Sequence, residues 1–416
     1  MRILLIHQYY LEENGSGGSR FNEMTQQWRA AGHEVTVLAG MMPDENHQPL
    51  PEYAGRYTFE RHQRGVRVVR SHVSANYNSN FRGRLWGYFS FVFSSIYAGL
   101  FRTRGKFDVI LVTSPPLFVG ISALVLSLFK RTPFVFEVRD LWPESAIDTG
   151  VLRNPTLIRM AYWFEGFVYR RAKLVNVLTP AFRRTLIDKK GVPPEKVLFV
   201  PNAADFSISE RVLGGSFDRT AFRRSLGVED KFVIIYVGAH GVANHLIQVV
   251  DTAERLRDDD RVVFLLIGGG MRKADLQAAV RERGLSNVLF IDSVPKQRVF
   301  EYIYASDAGM SVLKKVDTFK TIYSNKTFDY MSCKRPIFML IDGVSKELVE
   351  SARCGVYVEP EHPADFVDKI RWMLNLTPTE RAQLGENGYR YAREHFDRFV
   401  LATRYREALR RVVYSE

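Results

Sequence analysis

The chain has 416 residues, a length that predicts two or three domains and excludes one small core. Hydrophobic residues make up 46% and charged residues 25%, which excludes intrinsic disorder and collagen-like or disulfide-stapled architectures. The formal net charge of +12 favours a polyanionic partner, such as nucleic acid, anionic lipid or a substrate that carries a diphosphate.

The first half of the chain alternates predicted strands and helices. An apolar strand opens it at Arg2–His7, and a loop that contains Gly17 and Gly18 leads to a helix from about Arg20. Further strands are predicted at the apolar runs 35–38, 66–70, 109–112, 134–137 and 174–178. Short βαβ units of this kind build a parallel sheet with helices on both faces.

Residues 85–101 form an uncharged, aromatic stretch within this half. Four arginines flank it: Arg82, Arg84, Arg102 and Arg104. The stretch is shorter than the ~20 residues that a spanning helix usually needs, and a span would separate the first strand from strand 109–112. We therefore expect a helix that lies in an anionic membrane interface, with Trp86, Phe89 and Phe93 dipping into the lipid. The alternative is a core helix packed on the sheet.

The strand–helix alternation restarts in the second half. Strands are predicted at 232–238, 262–267, 288–291, 308–312, 337–341 and 356–358. The predicted fold class is α/β, with two Rossmann-like, doubly wound parallel-sheet domains facing a cleft. We expect an N-terminal domain of residues 1–205 and a C-terminal domain of residues 206–395. The last helix, about 396–416, lacks a strand partner in the second domain and is expected to pack back on the first.

Ligands of doubly wound sheets bind at the carboxyl ends of the strands, where two segments carry polar residues. Arg139 and Asp140 follow strand 134–137, together with Glu137 and Glu144, and a local ion pair between Arg139 and Asp140 is the alternative to a catalytic role. The loop with Gly17 and Gly18 follows the first strand and suits close approach to an anion, although a flexible turn explains it equally well.

The segment 324–329 is the third candidate. Ser324 is placed to cap a helix that begins near Asn325, whose first amides and Lys326 would hold a phosphate. Asp329 follows one turn later and would accept hydrogen bonds from sugar hydroxyls. The alternative is an ordinary capped helix with Asp329 facing solvent. No metal-ligand spacing, Walker loop, zinc finger or DNA-recognition helix is present, so neither a metal site nor nucleic-acid binding is predicted.

Several motifs along the whole chain point to one family. The most specific is Arg-Asp-Leu-Trp-Pro-Glu-Ser at 139–145, and others are Pro-Asn-Ala-Ala-Asp at 201–205 and the segment 324–331. With these motifs the sequence resembles retaining glycosyltransferases of family 4, which have the GT-B fold. It is especially similar to bacterial N-acetyl-L-fucosamine transferase-like enzymes of surface polysaccharide synthesis.

The resemblance implies that a sugar, an N-acetylated or deoxy hexosamine, moves with retention from a UDP-sugar to a polyprenyl-diphosphate-linked saccharide, without metal or cofactor. It implies these donor-binding residues: Asp329, Lys326, Thr327, Asn325, Ser324, Gly238, Gly17, Gly18, Val294 and Gly270. Asp329 would hold the ribose hydroxyls, residues 325–327 the diphosphate, and Gly270 and Val294 would flank the base. Arg139 and Asp140 would act beside the transferred sugar.

The sequence also departs from the family pattern. Thr321 stands where the family has its first acid, and the usual Arg and Lys after the first C-terminal strand are replaced by Gly238-Ala-His. Other cations must then meet the diphosphate; the candidates are Lys326, Lys320, Lys314, Arg272 and Arg20. A GT-B-fold sugar-nucleotide epimerase and a non-catalytic assembly partner remain as alternatives.

The expected location is the cytoplasm, with peripheral attachment to the inner face of the cytoplasmic membrane. Two cysteines, Cys333 and Cys354, provide no disulfide framework and favour a reducing compartment. The opening strand carries no small-residue cleavage site, so no signal peptide is expected.

Overall fold

The computed structural model describes residues 1–12, 20–42, 50–74, 81–148, 152–215 and 217–414, without the side chains of Phe81, Arg82 and Arg84. The chain divides into two compact units. The first contains Met1–Pro201 and Phe399–Glu416, and the second contains Asn202–Arg398. Each unit is built around one sheet with helices on both faces, as the α/β prediction requires.

The first unit contains an eight-stranded sheet in the order β3-β4-β2-β1-β5-β6-β7-β8. The strands are β1 Arg2–His7, β2 Glu34–Gly40, β3 Thr58–Gln63, β4 Val66–Ser71, β5 Val109–Thr113, β6 Phe134–Val138, β7 Leu174–Val177 and β8 Val197–Phe199. Ile3 is paired with Val109 in parallel register, so the first strand and strand 109–112 do share a sheet. The sequence analysis missed the two edge strands because β3 is largely polar and β8 has only three residues.

Within the described residues, the α-helices of the first unit that precede the second unit are α1 Arg20–Ala30, α2 Phe81–Tyr97, α3 Val119–Lys130, α4 Glu144–Asp148, α5 Pro155–Arg171 and α6 Pro180–Arg184. Because crossovers between parallel strands are right-handed, the direction of each connection decides which face of the sheet its helix covers. The chain moves toward one edge of the sheet from β1 to β2 and toward the opposite edge from β5 to β7. Helix α1 therefore covers one face, and α3 and α5 cover the other, where α2 packs against α3.

The second unit contains six parallel strands in the order β11-β10-β9-β12-β13-β14. They are β9 Phe232–Val237, β10 Val262–Ile267, β11 Val288–Ile291, β12 Ala308–Val312, β13 Ile337–Leu340 and β14 Gly355–Tyr357. The helices are α7 Phe206–Gly214, α8 Arg219–Ser225, α9 Ile247–Arg255, α10 Lys273–Glu282, α11 Lys296–Ala305, α12 Asn325–Ser332, α13 Val344–Ala352, α14 Pro363–Asn375 and α15 Pro378–His395. Apolar clusters fill both sides of this sheet.

The last helix, α16 (Arg398–Tyr414), belongs to the first unit over almost its whole length. The indole Nε1 of Trp28 on α1 donates to the carbonyl of Ala402 at 2.8 Å. The ring of Tyr405 meets the same indole edge-on, with 5.8 Å between ring centroids, and both side chains are buried. Helix α16 thus provides the cover that buries the apolar side of α1.

A buried ion pair joins α1 to the strand ends of the first unit. The Arg20 guanidinium donates to both carboxylate oxygens of Glu137, at 3.2 Å each, and to the carbonyl of Val200 at 2.7 Å. The amide of Asn176 donates to the same carboxylate at 2.9 Å. Because each ion has several partners, the cost of burying the two charges is offset by their mutual contacts.

We expect Arg20→Ala to lower the free energy of unfolding by about 3–5 kcal/mol, because it leaves the Glu137 carboxylate buried without its cation. Glu60→Ala is the matched control, since it removes the exposed pair that Glu60 makes with Arg67. That change is expected to cost no more than about 1 kcal/mol. Denaturant unfolding followed by fluorescence measures both, and equal effects would contradict the role given to Arg20.

Candidate active site

Three glycines shape the carboxyl ends of β9 and β10. Gly238, Gly268 and Gly270 have φ angles of 142°, 141° and 145°, a conformation that other residues rarely adopt. A Cβ on Gly268 would lie 2.0 Å from the Gly238 carbonyl oxygen. The amide of Gly238 donates to the Ile267 carbonyl at 3.0 Å. The two loops therefore approach more closely than any side chain would allow.

Lys326 extends from the first turn of α12 toward these loops. Its Nζ lies 4.8 Å from the centre of the Tyr236 ring and donates to Ser324 Oγ at 3.3 Å. A Cβ on Gly238 would lie 3.3 Å from Lys326 Cε. Because residue 238 is a glycine, the Lys326 side chain can occupy this position. Burial lowers the pKa of Lys326 to about 8, and the negative charge of Asp329 opposes that shift.

The role expected for Ser324 as a helix cap is wrong. It occupies the N-cap position of α12, but its side chain makes no capping hydrogen bond. Its hydroxyl accepts from Lys326 instead. The first amides of α12, from Asn325 and Lys326, therefore remain without a capping side chain, and the exposed Asn325 lies directly at this helix end.

Asp329 lies one turn further along α12. Burial raises the pKa of its carboxyl to about 7; Asp205 adds to the shift, and Lys296 and Lys326 oppose it. Lys296 is itself held by Asp205, with 3.0 Å between its Nζ and Oδ2. Among the residues that the structure describes, none donates a hydrogen bond to the Asp329 side chain. Its oxygens are thus available to a ligand that carries hydroxyl groups.

The side chain of Thr327 is buried in the core, and its expected contact with the donor stays a prediction. Its hydroxyl lies 2.8 Å from Ser311 Oγ in the core, and its amide donates to the Ser324 carbonyl at 3.1 Å. Thr327 therefore anchors α12 to β12. Val294 is half-buried and packs against the apolar core of the second unit, beside the loop that follows β11.

Two residues that the sequence analysis did not assign complete this region. His240 is fully buried, its ring nitrogens have no partner within the described residues, and burial lowers its pKa to about 4. Lys273 donates to the carbonyl of Gly268 at 2.8 Å and pairs with Asp292 at 2.6 Å, so it ties together the loops after β10 and β11. Their only sequence signal is their position beside glycines at strand ends.

The other cations proposed for the diphosphate are engaged elsewhere or are exposed. Arg20 is buried against Glu137, so its expected role at the donor is wrong. Arg272 pairs with Asp275 at 2.9 Å, and Lys320 pairs with Asp317 at 2.8 Å. Lys314 is exposed. Of these candidates, Lys326 is the one that lies on α12 itself. Gly17 and Gly18 lie outside the described residues.

In the first unit, Arg139 lies immediately after β6, close to the end of β1. Burial lowers the pKa of its guanidinium; Glu137 opposes the shift and Arg20 adds to it. His7, at the end of β1, has a pKa well below its usual value because of burial, with Arg139 and Arg70 adding to the effect. Within the described part of the chain nothing accepts a hydrogen bond from Arg139, and no ion pair joins it to Asp140.

Asp140 is held by the first turn of α4. Ser145 Oγ donates to its Oδ2 at 2.6 Å. Burial raises the pKa of this carboxyl, and Glu144 contributes in the same direction. The other two acids expected here serve structure: Glu137 pairs with Arg20, and Glu144 pairs with Lys190 at 2.7 Å. Asp140 is therefore the one acid of this segment without a cationic partner among the described residues.

The helix predicted over the stretch 85–101 is present as α2, followed by a π-helical turn at Ala98–Arg102, and its contact with a membrane stays a prediction. Trp86 and Phe93 are 55% and 56% exposed, and Arg102 and Arg104 are also exposed. Phe89 is half-buried, with 4.9 Å between its ring centroid and that of Phe118, and its contact with lipid stays a prediction. The side chains of Arg82 and Arg84 lie outside the described set. None of the helices in the described ranges has the length and apolar character needed to span a membrane.

Comparison with known protein families assigns both halves of the chain. Residues 15–203 match the glycosyl transferase 4-like domain, and residues 231–376 match the glycosyl transferases of group 1. These matches cover the two parallel-sheet units in turn. The chain therefore belongs to the glycosyltransferases with the GT-B fold, and this confirms the resemblance found in the sequence.

The most informative relative is WcaI of Escherichia coli K12, which its name assigns to colanic acid biosynthesis as a glycosyl transferase. It is 26% identical over 294 residues, which cover 70% of this chain and 71% of the relative. D-inositol 3-phosphate glycosyltransferase of Geodermatophilus obscurus is 28% identical over 203 residues, 46% of this chain and 43% of the relative.

Solved structures share the fold over the full length. HepE of Anabaena in complex with UDP-glucose has a TM-score of 0.71 and 17% identity, covering 98% of this chain and 99% of that one. Sucrose-phosphate synthase from Thermosynechococcus elongatus has a TM-score of 0.74 and 15% identity, covering 100% of both chains. At these identities the likeness establishes the fold.

We expect Gly268→Ala to lower the free energy of unfolding by at least about 3 kcal/mol, because the new Cβ would clash with the Gly238 carbonyl in a strained conformation. Gly284→Ala is the control: its φ of 62° is also left-handed, but nothing lies within 4 Å of the added Cβ. That change should cost about 1–2 kcal/mol. Thermal unfolding compares the two, and a smaller effect at Gly268 would refute the close packing of the loops.

Proposed function

We propose that the protein transfers a sugar with retention from a UDP-sugar to a lipid-linked saccharide acceptor in surface polysaccharide synthesis. The observation that carries this proposal is that Lys326 and Asp329 lie on successive turns of α12, near the glycine loops of β9 and β10. At this spacing the lysine suits a diphosphate, and the carboxylate suits the hydroxyl groups of a ribose. The colanic acid relative supports a polysaccharide product, and the UDP-glucose complex of HepE supports a uridine nucleotide.

The donor chemistry follows from the start of α12. Cleavage of the sugar–phosphate bond leaves negative charge on the diphosphate, which Lys326 and the uncapped amides of Asn325 and Lys326 are placed to stabilise. The helix N-terminus adds a favourable dipole for an anion. Because Lys326 is partly buried, its charge acts through a medium of lower dielectric than water and is correspondingly stronger. We propose that these groups suffice without a metal ion.

Retention of configuration at the anomeric carbon requires the acceptor hydroxyl to attack the same face of the sugar from which the diphosphate leaves. We propose that the leaving diphosphate itself takes the proton of the acceptor hydroxyl. Arg139 and Asp140 then act on the acceptor or the transferred sugar, where orientation contributes to the rate. Because Glu137 and Glu144 are engaged in ion pairs, Asp140 is the one acid of the segment 137–144 left for catalysis, which favours this route over an epimerisation that uses more than one free acid.

One assay separates the possible activities. The protein is incubated with UDP-N-acetylhexosamine, with and without a polyprenyl-diphosphate-linked saccharide, in buffer with and without EDTA. Release of UDP that depends on the acceptor and survives EDTA supports transfer. Formation of an epimer without acceptor would replace the proposal with an epimerase, and an unchanged donor would indicate a non-catalytic assembly role.

Asp329→Ala should weaken UDP binding about ten- to hundredfold, because a hydrogen bond to an ionised carboxylate contributes about 1.5–3 kcal/mol. The wild-type affinity should also fall as the pH drops through about 7, where Asp329 becomes protonated, and fall again above about 8, where Lys326 loses its charge. Isothermal titration calorimetry across pH 6–9.5 measures both effects.

Two variants test the assignment of these pH limits. Lys326→Arg should remove the decline on the alkaline side, because arginine stays charged over this range. Asp329→Asn should remove the loss of affinity that protonation of Asp329 causes at low pH. The pH dependence that remains on the acidic side then comes from the titration of UDP itself. Asp368→Ala, at an exposed acid on α14, serves as the control. A folded Asp329→Ala protein with unchanged UDP affinity would contradict the donor site.

Asp140→Ala should reduce turnover at least tenfold and leave UDP affinity unchanged, since Asp140 is proposed to act in the transition state rather than on the nucleotide. Asp188→Ala removes an exposed acid of the same unit and should leave both quantities unchanged. Steady-state kinetics and calorimetry are run on the same preparations. Normal turnover in the Asp140 variant would exclude the catalytic role.

A further inference from the structure

Three neighbouring helices of the first unit expose apolar side chains where such helices usually present polar ones. Helix α2 contacts α3, and α3 contacts α5 on the same face of the sheet. By contrast, the half-buried positions of α1 on the opposite face carry the polar residues Asn22, Glu23, Gln26 and Gln27. Helix α16, which covers α1, exposes Phe399, Val400 and Tyr414. The exposed apolar side chains of α2, α3 and α5 lie on neighbouring helices of one face, which we call the α2–α3–α5 face.

Helix α2 and the π-helical turn after it contribute an aromatic stripe. Trp86, Phe93, Tyr97 and Phe101 are exposed by 55%, 56%, 37% and 67%. Their spacings of seven and four residues place them along one side of the helix. Trp86 and Phe101 are separated by about 20 Å at 1.5 Å per residue, so the stripe runs along the whole element.

Helices α3 and α5 extend the same surface. At the end of α3, Leu128 and Phe129 are 75% and 68% exposed. On α5, Met160 and Trp163 are 59% and 65% exposed, and Trp163 is stacked on Phe167 with 5.7 Å between ring centroids. Neither α3 nor α5 was assigned to a membrane surface from the sequence.

Phe118, at the start of α3, joins the three helices beneath this surface. Its ring lies 4.9 Å from Phe89 on α2 and 6.4 Å from Phe164 on α5. Phe89 in turn lies 6.4 Å from the exposed ring of Phe93. Aromatic contacts therefore connect α2, α3 and α5 beneath the exposed residues.

The ionisable residues of these helices are almost all basic. Within residues 81–102, 119–130 and 155–171 the one acid is Glu165, which is buried against Lys190 at 2.6 Å. The cations in these ranges are Arg82, Arg84, Arg102, Lys130, Arg159, Arg170 and Arg171. Aromatic side chains mixed with arginines, and without acids, match the interface of an anionic bilayer.

We propose that the α2–α3–α5 face docks on an anionic lipid bilayer, with Trp86 and Trp163 inserted at the headgroup level on two separate helices. A second copy of the chain fits less well, because a two-fold interface would bring the cations of both copies together. The inference extends the proposed function by giving the surface that would meet a membrane-bound acceptor. Its test uses no sugar and no acceptor, so it fails or succeeds independently of the transfer reaction.

Vesicle binding by the full chain tests the proposal. Co-sedimentation with vesicles of phosphatidylcholine alone, or with 40% phosphatidylglycerol, should show binding to the anionic vesicles that salt reverses. Met160→Ala with Trp163→Ala on α5 should weaken this binding about tenfold or more, as should Trp86→Ala with Phe93→Ala on α2. Trp372→Ala, at a tryptophan of the second unit that is 41% exposed, should have no effect.

Depth measurement gives an independent readout. Brominated lipids should quench the fluorescence of Trp86 and Trp163, so Trp163→Phe should lose part of the quenching and Trp372→Phe none. Equal binding to neutral and anionic vesicles, or unchanged binding of the α2 and α5 double variants, would overturn the proposal. A concentration-dependent dimer that the α5 changes dissociate, without vesicle binding, would also overturn it in favour of a second copy.

Discussion

The buried pair of Arg20 and Glu137 is the interaction on which the first unit depends. It connects the helix after the first strand to the end of β6, and through the Val200 carbonyl to the last residues before the second unit. Arg139 and Asp140 follow Glu137 by two and three residues. Any loosening of the pair would therefore move the segment proposed to act on the sugar. This is why a carboxylate that looks catalytic from its position instead fixes the geometry of its neighbours.

In the second unit the corresponding constraint is that two positions at the strand ends are glycines, which have no side chain. The loops after β9 and β10 meet only because Gly238 and Gly268 carry none, and Lys326 occupies the space that results. Burial of Lys326 and of Asp329 on the adjoining helix brings both pKa values toward neutrality.

Much of this molecule could be predicted from its sequence. The long apolar strands identified both sheets, because a strand buried on two faces reads as an uninterrupted apolar run. The polar strand β3 has no such apolar run. The sequence also has no pattern that indicates which cation each acid pairs with. The motif at 139–145 indicated the segment that is proposed to act on the sugar, yet only the contacts of Glu137 and Glu144 distinguish these two acids from Asp140. Long-range pairing of this kind depends on residues far apart in the chain, which local patterns do not encode.

The return of α16 to the first unit has a consequence for how the protein folds during synthesis. The second unit is, in effect, an insertion of Asn202–Arg398 between parts of the first. Until the last helix leaves the ribosome, Trp28 has neither the Ala402 carbonyl nor the ring of Tyr405 to cover it. The second unit, in contrast, is complete in one stretch of chain. Synthesis therefore finishes the second unit first, although it begins with the other, and the nascent chain carries an open aromatic core for most of its translation.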